Sequence, residues 1–168
     1  QLRAAGTAYP DWVTRLYLQM SPSITDRTLQ LARAIVTQAG ATTPYDQAKA
    51  LETWLRTNII YNEIIPQPPA NQDPVDWVLF DLRQGYCNYY ASSMVMMLRG
   101  LGIPARMAAG FAQGEWDAGQ NAYVVREREA HTWVEVFFPG YGWIEFEPTA
   151  AQAPLNRVDD VPAGLQPS

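Results

Sequence analysis

The 168 residues include one cysteine and one histidine, and each scarcity excludes a class of protein. A single cysteine forms no internal disulfide, so the chain is not a disulfide-stapled scaffold. One Cys with one His falls short of an ordinary zinc site, so neither a metal nor a cofactor is expected. Positive charge is also sparse: 12 Lys and Arg stand against 17 Asp and Glu, a net charge of −5. The basic residues are scattered, and Arg126 and Arg128, which do lie close together, are flanked by Glu127 and Glu129. Such a surface does not attract a phosphate backbone, which argues against a nucleic-acid partner. No apolar run approaches the roughly 18 residues of a membrane helix, and no basic-then-apolar leader opens the chain. The sequence starts at Gln1, without an initiator methionine, and reads as a domain of a longer protein.

Hydrophobic residues make up 48% of the sequence and charged residues 17%, enough apolar surface for one folded domain. Its first half has helical periodicity. Asp11 is placed to cap a short segment running to Met20, which Ser21-Pro22-Ser23 breaks. A second helix over about 24–39 carries Ile24, Leu31, Ala32, Ile35, Val36 and Ala39 on one stripe, and Gly40 stops it. Thr43-Pro44 has the residue types of an N-cap and first helical position, and Tyr45, Ala48, Leu51, Trp54 and Leu55 form the buried face behind them. Ile59-Ile60-Tyr61 is a short extended stretch. Asp73-Pro74 is a second cap pair, opening a turn through Phe80.

After a helix near 88–100 the period changes. Extended segments are expected at about 105–112, 122–127, 131–138 and 143–147, rich in β-branched and aromatic residues. Pro139-Gly140-Tyr141-Gly142 is the turn joining the last two. The fold class is α+β, a helical N-terminal half packed on an antiparallel sheet. Residues 1–150 form the domain, and 151–168, rich in Pro and Ala without periodicity, form a tail or linker.

A lone cysteine is by default a small buried hydrophobe. Cys87 has a different setting: it follows Gly85-Tyr86 and opens a helix that is apolar on nearly every side. At a helix N-terminus the unpaired amides and the helix dipole favour thiolate over thiol. The same amides can hold the oxyanion formed when a thiolate attacks a carbonyl. His131 opens a strand on which it shares a face with Trp133 and Glu135. A Cys at a helix start and a His on a strand behind it are the two parts that a cysteine acyl-transfer site needs.

The hairpin decides whether a carboxylate joins them. With the four-residue loop 139–142, Phe138 faces Trp143, and Glu147 lies opposite Val134, away from His131. With 138–142 as the loop, Phe137 faces Trp143, and Glu147 lies opposite Trp133, diagonal to His131 and within reach of it. In that register the alternative carboxylate, Glu145, faces Glu135, where two like charges would meet. Glu147 is preferred, since Pro148 ends the strand beside it. Tyr86, Trp133 and Trp143 are candidates to line a substrate groove.

Four blocks in order resemble the transglutaminase-like superfamily of papain-type folds. They are Gly85-Tyr86-Cys87-Asn88-Tyr89-Tyr90-Ala91; Leu98-Arg99-Gly100-Leu101-Gly102-Ile103-Pro104-Ala105-Arg106 leading to Gly110-Phe111; Ala130-His131-Thr132-Trp133-Val134-Glu135-Val136; and Gly140-Tyr141-Gly142-Trp143-Ile144-Glu145-Phe146-Glu147-Pro148-Thr149. The upstream run Asp73-Pro74-Val75-Asp76-Trp77-Val78-Leu79-Phe80 is similar to a branch of bacterial membrane proteins that carry this domain outside the cytoplasm. The resemblance implies a catalytic triad on Cys87, His131 and position 147, where Glu stands in place of the commoner Asp. It also implies cysteine-dependent acyl transfer on glutamine or peptide amides through a thioester. A cysteine protease or cell-wall amidase, and a non-catalytic interaction scaffold, are the alternatives. Extracytoplasmic placement and membrane attachment through segments outside this chain follow from the same resemblance. Tyr86 occupies the position where animal transglutaminases carry Gln before the nucleophile.

Overall fold

The computed structural model describes residues 1–157. Helices α1 (Asp11–Tyr17), α2 (Asp26–Gln38) and α3 (Pro44–Asn58) precede a short strand β1 (Ile60–Tyr61). Helix α4 (Pro74–Trp77) continues into a π-helical turn over Val78–Leu82, and strand β2 (Gln84–Gly85) leads into α5 (Cys87–Gly100). The sheet follows: β3 (Ala105–Phe111), β4 (Glu115–Asp117), β5 (Ala122–Val124), β6 (Ala130–Phe138) and β7 (Gly142–Phe146).

The caps form for the reasons the residue types suggest. Thr43 Oγ1 accepts from the Asp46 amide, and Asp73 accepts from the amides of Val75 and Asp76. Asp11 is a correction: it is the first helical residue, and Pro10 precedes it as an N-cap without a side-chain bond. Helix α1 also stops at Tyr17, short of Met20; the Gln19 carbonyl is instead taken by Arg99 Nη1 at 2.7 Å. Thr25 caps α2 and also donates to Asp76, whose carboxylate is held at about 2, chiefly by the Arg27 guanidinium. That ties α2 to α4.

Strands β3, β6 and β7 make one antiparallel sheet in the order β3-β6-β7. Val134, Val136 and Phe138 alternate onto its inner face, against α5. Met94, Met97 and Leu98 of α5 are fully buried there, each contributing about 1.5–3 kcal/mol by burial. On the outer face α1 covers the sheet, with Trp12 edge-on to Phe137 and Tyr17 edge-on to Trp143. Two further pairings were not foreseen. β1 and β2 run parallel, with Ile60 opposite Gln84, and β4 and β5 form an exposed hairpin. The segment expected to stay extended to 127 ends at Val124, because Glu129 turns back to bond the Arg126 amide at 2.6 Å.

Residues 151–157 form no helix or strand, yet Arg157 lies over the Phe146 ring at 4.6 Å. Positions 158–168 of the expected tail lie outside the described residues.

Candidate active site

Cys87 is the first residue of α5 and is half-buried. Gly85 precedes it without left-handed backbone; space is what demands glycine there, since a Cβ would come within 3.0 Å of the Tyr89 Cβ. The thiol is lowered below its ordinary value of 9.0, first by a hydrogen bond with His131 and further by the backbone amides of Thr132 and Asn88, against the opposing effect of burial. Thr132 Oγ1 donates to Asn88 Oδ1 at 2.7 Å, which ties the start of β6 to the first turn of α5.

His131 is buried, and its Nε2 lies 2.5 Å from Glu147 Oε2. The imidazole is pushed up from 6.5 to about 9, first by Cys87 and then by Glu147, with burial working the other way. A lowered thiol beside a raised imidazole favours a thiolate–imidazolium pair. Trp133 stacks on the ring, centroids 6.3 Å apart at 21°. Gly110, opposite His131 on β3, leaves room for that indole: a Cβ there would sit 3.0 Å from its Cη2.

Phe138 pairs with Gly142 and Val134 with Phe146, the odd register in which Glu147 falls diagonal to His131. Its second oxygen, Oε1, accepts from the Thr149 amide at 2.9 Å, so both carboxylate oxygens are engaged. Glu145 does face Glu135, as that register dictates. Arg106 on the opposite neighbour β3 bonds Glu135 at 2.6 Å, and Glu145 stays exposed. The like-charge contact is thereby relieved.

The three groove candidates part company. Tyr86 lines a hollow of about 400 Å³ with Asn88, Tyr89, Ser92, Met107 and Thr132; Tyr86 and Asn88 flank Cys87 in the chain. Trp133 lines a second hollow of about 470 Å³ with His131 and Glu147, on the other side of the imidazole. Trp143 reaches neither. It lies on the outer sheet face between Tyr17 and Phe137, with the Arg106 guanidinium 4.2 Å over its ring. Opposite Phe137 its side chain is directed to α1, and its role there is packing. Another hollow, about 550 Å³ between α2 and α3, contains none of the three candidate catalytic residues. Among the described residues no group of three or more His, Cys, Asp or Glu is arranged to hold a metal ion.

Sequence reasoning missed Asn88, Thr132, Glu52 and Arg56. Glu52 had a legible signal, as a carboxylate beside Leu51 and four residues after Ala48 on the face of α3 that is otherwise apolar.

The Transglutaminase-like superfamily model matches residues 30–148. An uncharacterized Bacillus subtilis protein, YebA, is 38% identical over 139 residues, 79% of this chain and 19% of its own length. A protein-glutamine gamma-glutamyltransferase of Pseudomonas aeruginosa is 45% identical over 94 residues, covering 55% of this chain and 14% of the relative. The chain thus spans under a fifth of either relative. The crystal structure of the periplasmic domain of TgpA from Pseudomonas aeruginosa superposes with a TM-score of 0.72 at 30% identity, covering 84% of this chain and 48% of that one. Among the described residues no helix is long and apolar enough to cross a membrane. By the extent of the family match and the shared fold, the chain belongs to the transglutaminase-like superfamily.

Proposed function

We propose that this domain performs cysteine-dependent acyl transfer on the side-chain amide of protein-bound glutamine. The observation that carries this reading is His131, whose Nε2 lies 2.5 Å from Glu147 Oε2 and whose strand is tied by Thr132 to Asn88, the residue after Cys87. The thiolate of Cys87 attacks the amide carbon, and the carbonyl electron pair moves onto oxygen. The backbone amide of Cys87, at the open end of α5, stabilises that oxyanion. As the oxyanion collapses, the carbon–nitrogen bond breaks, His131 gives its proton to the nitrogen and ammonia leaves. A thioester remains on Cys87. His131 then takes a proton from an incoming amine or water, which attacks the thioester and releases Cys87. An amine gives a crosslink and water gives glutamate. Glu147 keeps the imidazole oriented and stabilises its cation throughout.

The relative named for glutamine gamma-glutamyl transfer supports the substrate class. The periplasmic origin of the TgpA domain supports placement outside the cytoplasm, with membrane attachment through segments beyond this chain. The test is mass spectrometry of a glutamine-rich protein incubated with the wild-type domain or with Cys87→Ala, with and without a primary amine. Amine incorporation that disappears in Cys87→Ala is the expected result. A Cys87-dependent gain of about one mass unit per glutamine means deamidation, and Cys87-dependent backbone cuts mean a protease or peptide amidase. Identical spectra from both proteins favour a non-catalytic scaffold.

A further inference from the structure

We propose that Arg56 and Glu52, two side chains of α3 outside the Cys87–His131–Glu147 trio, are positioning residues that hold Glu147 in line with His131. The proposal rests on the acyl-transfer reading of the site. Strand β7 ends at Phe146, so no ladder fixes the backbone of Glu147. Helix α3 supplies the missing bonds. Glu52 Oε1 accepts from the Glu147 amide at 2.8 Å, and Arg56 Nη1 donates to the Glu147 carbonyl at 2.9 Å. Both backbone polar groups of this residue are therefore met by charged side chains one helical turn apart, on one face of α3.

The grip extends along the chain. Arg56 Nη1 also donates to the Thr149 carbonyl at 2.7 Å, and Nη2 donates to that of Gln152 at 2.7 Å. Thr149 in turn donates its amide to Glu147 Oε1. One planar guanidinium thus spans three carbonyls, a geometry that the single point charge of lysine does not reproduce. Glu52 is 4% exposed, and its other oxygen takes Lys49 Nζ at 2.7 Å, so its buried charge is compensated. Glu147 has one more rotatable bond than aspartate would have, and fixing its backbone removes freedom that would otherwise let the carboxylate leave the imidazole.

His131 is the chain's single histidine, so its ring resonances titrate in NMR without ambiguity of assignment. In Arg56→Met the His131 midpoint is expected to fall by up to about one pH unit as the Glu147 carboxylate leaves the ring, whereas loss of the Arg56 cation by itself would raise it. The acid limb of Cys87 alkylation by iodoacetamide should rise with it. Arg56→Lys should give a smaller shift in the same direction, and it carries the test if Arg56→Met does not fold. In a Glu147→Gln background either Arg56 change should add nothing further. A folded Arg56 variant with lower thermal stability but the wild-type His131 midpoint overturns the proposal, as do shifts that add to those of Glu147→Gln. Failure of the catalytic reading is visible in wild type alone, as a histidine titrating near 6.5 and a Cys87 that reacts like an ordinary thiol.

Discussion

The two sides of His131 are built differently. Toward Glu147 the site is tied down: the carboxylate is buried beside a hollow of about 470 Å³, both its oxygens are bonded, and its backbone is held from α3. Toward Cys87 it is open, with a half-buried sulfur and a hollow rimmed by its chain neighbour Tyr86, Tyr89 and the exposed Met107. A group that must keep one orientation gains from bonds on every side, whereas in the proposed acyl transfer the nucleophile must admit a bulky amide. On the proposed reading the carboxylate side governs chemistry, and the Cys87 side governs what enters.

Substitutions on the two sides should separate accordingly. The largest effect belongs to Cys87→Ala, which removes the proposed nucleophile and should lower kcat by at least about 10⁴-fold. Thermal unfolding should stay close to wild type, because the side chain is small and only half-buried. Glu147→Gln comes next. It keeps the shape but loses the charge, and a drop of about 10²–10⁴ in kcat is expected, with KM little changed. A KM effect of equal size would contradict the division between the two sides.

The pH profile probes the junction between them. On the proposed acyl-transfer reading the pair works as thiolate and imidazolium, so activity should rise as pH climbs through the lowered Cys87 value and fall as it passes about 9, where His131 deprotonates. The sign for stability is the same on the alkaline side. The imidazolium contributes fully below about 6.5, and its contribution is lost as pH rises through about 9. An alkaline limb near 6.5 in initial-rate measurements would mean that neither Cys87 nor Glu147 raises the histidine. The smallest effect is expected on the open side. Met107→Ser should raise KM severalfold, corresponding to about 1 kcal/mol of lost apolar contact, and leave kcat within about twofold.

Much of the fold was legible because local chemistry and tertiary structure agree. Thr43-Pro44 and Asp73-Pro74 cap as their residue types dictate, and the alternation along β6 assigns its inner face. In the site, the hairpin register was reducible to two cases by side-chain parity, and the odd case places Glu147 toward His131. What stayed hidden depends on partners distant in sequence. Nothing near Gln84 announces a parallel pairing with Ile60, and nothing near Glu147 announces that Arg56, 91 positions earlier, will bond its carbonyl. Trp143 misled because it sits in the same block as Glu147, four residues away. It shares a sheet face with His131, but its pairing with Phe137 sets it six residues along β6, roughly 20 Å away, beside α1.

Helix α3 runs directly through Ile59 into β1, whose parallel partner β2 ends two residues before Cys87; Tyr90, one turn into α5, donates its hydroxyl to the Ile59 carbonyl at 2.5 Å. The same helix holds Glu147 through Glu52 and Arg56. Nucleophile and carboxylate are therefore surveyed from one datum. The separation of Cys87 and Glu147 is thus set through one helix rather than through two independent elements.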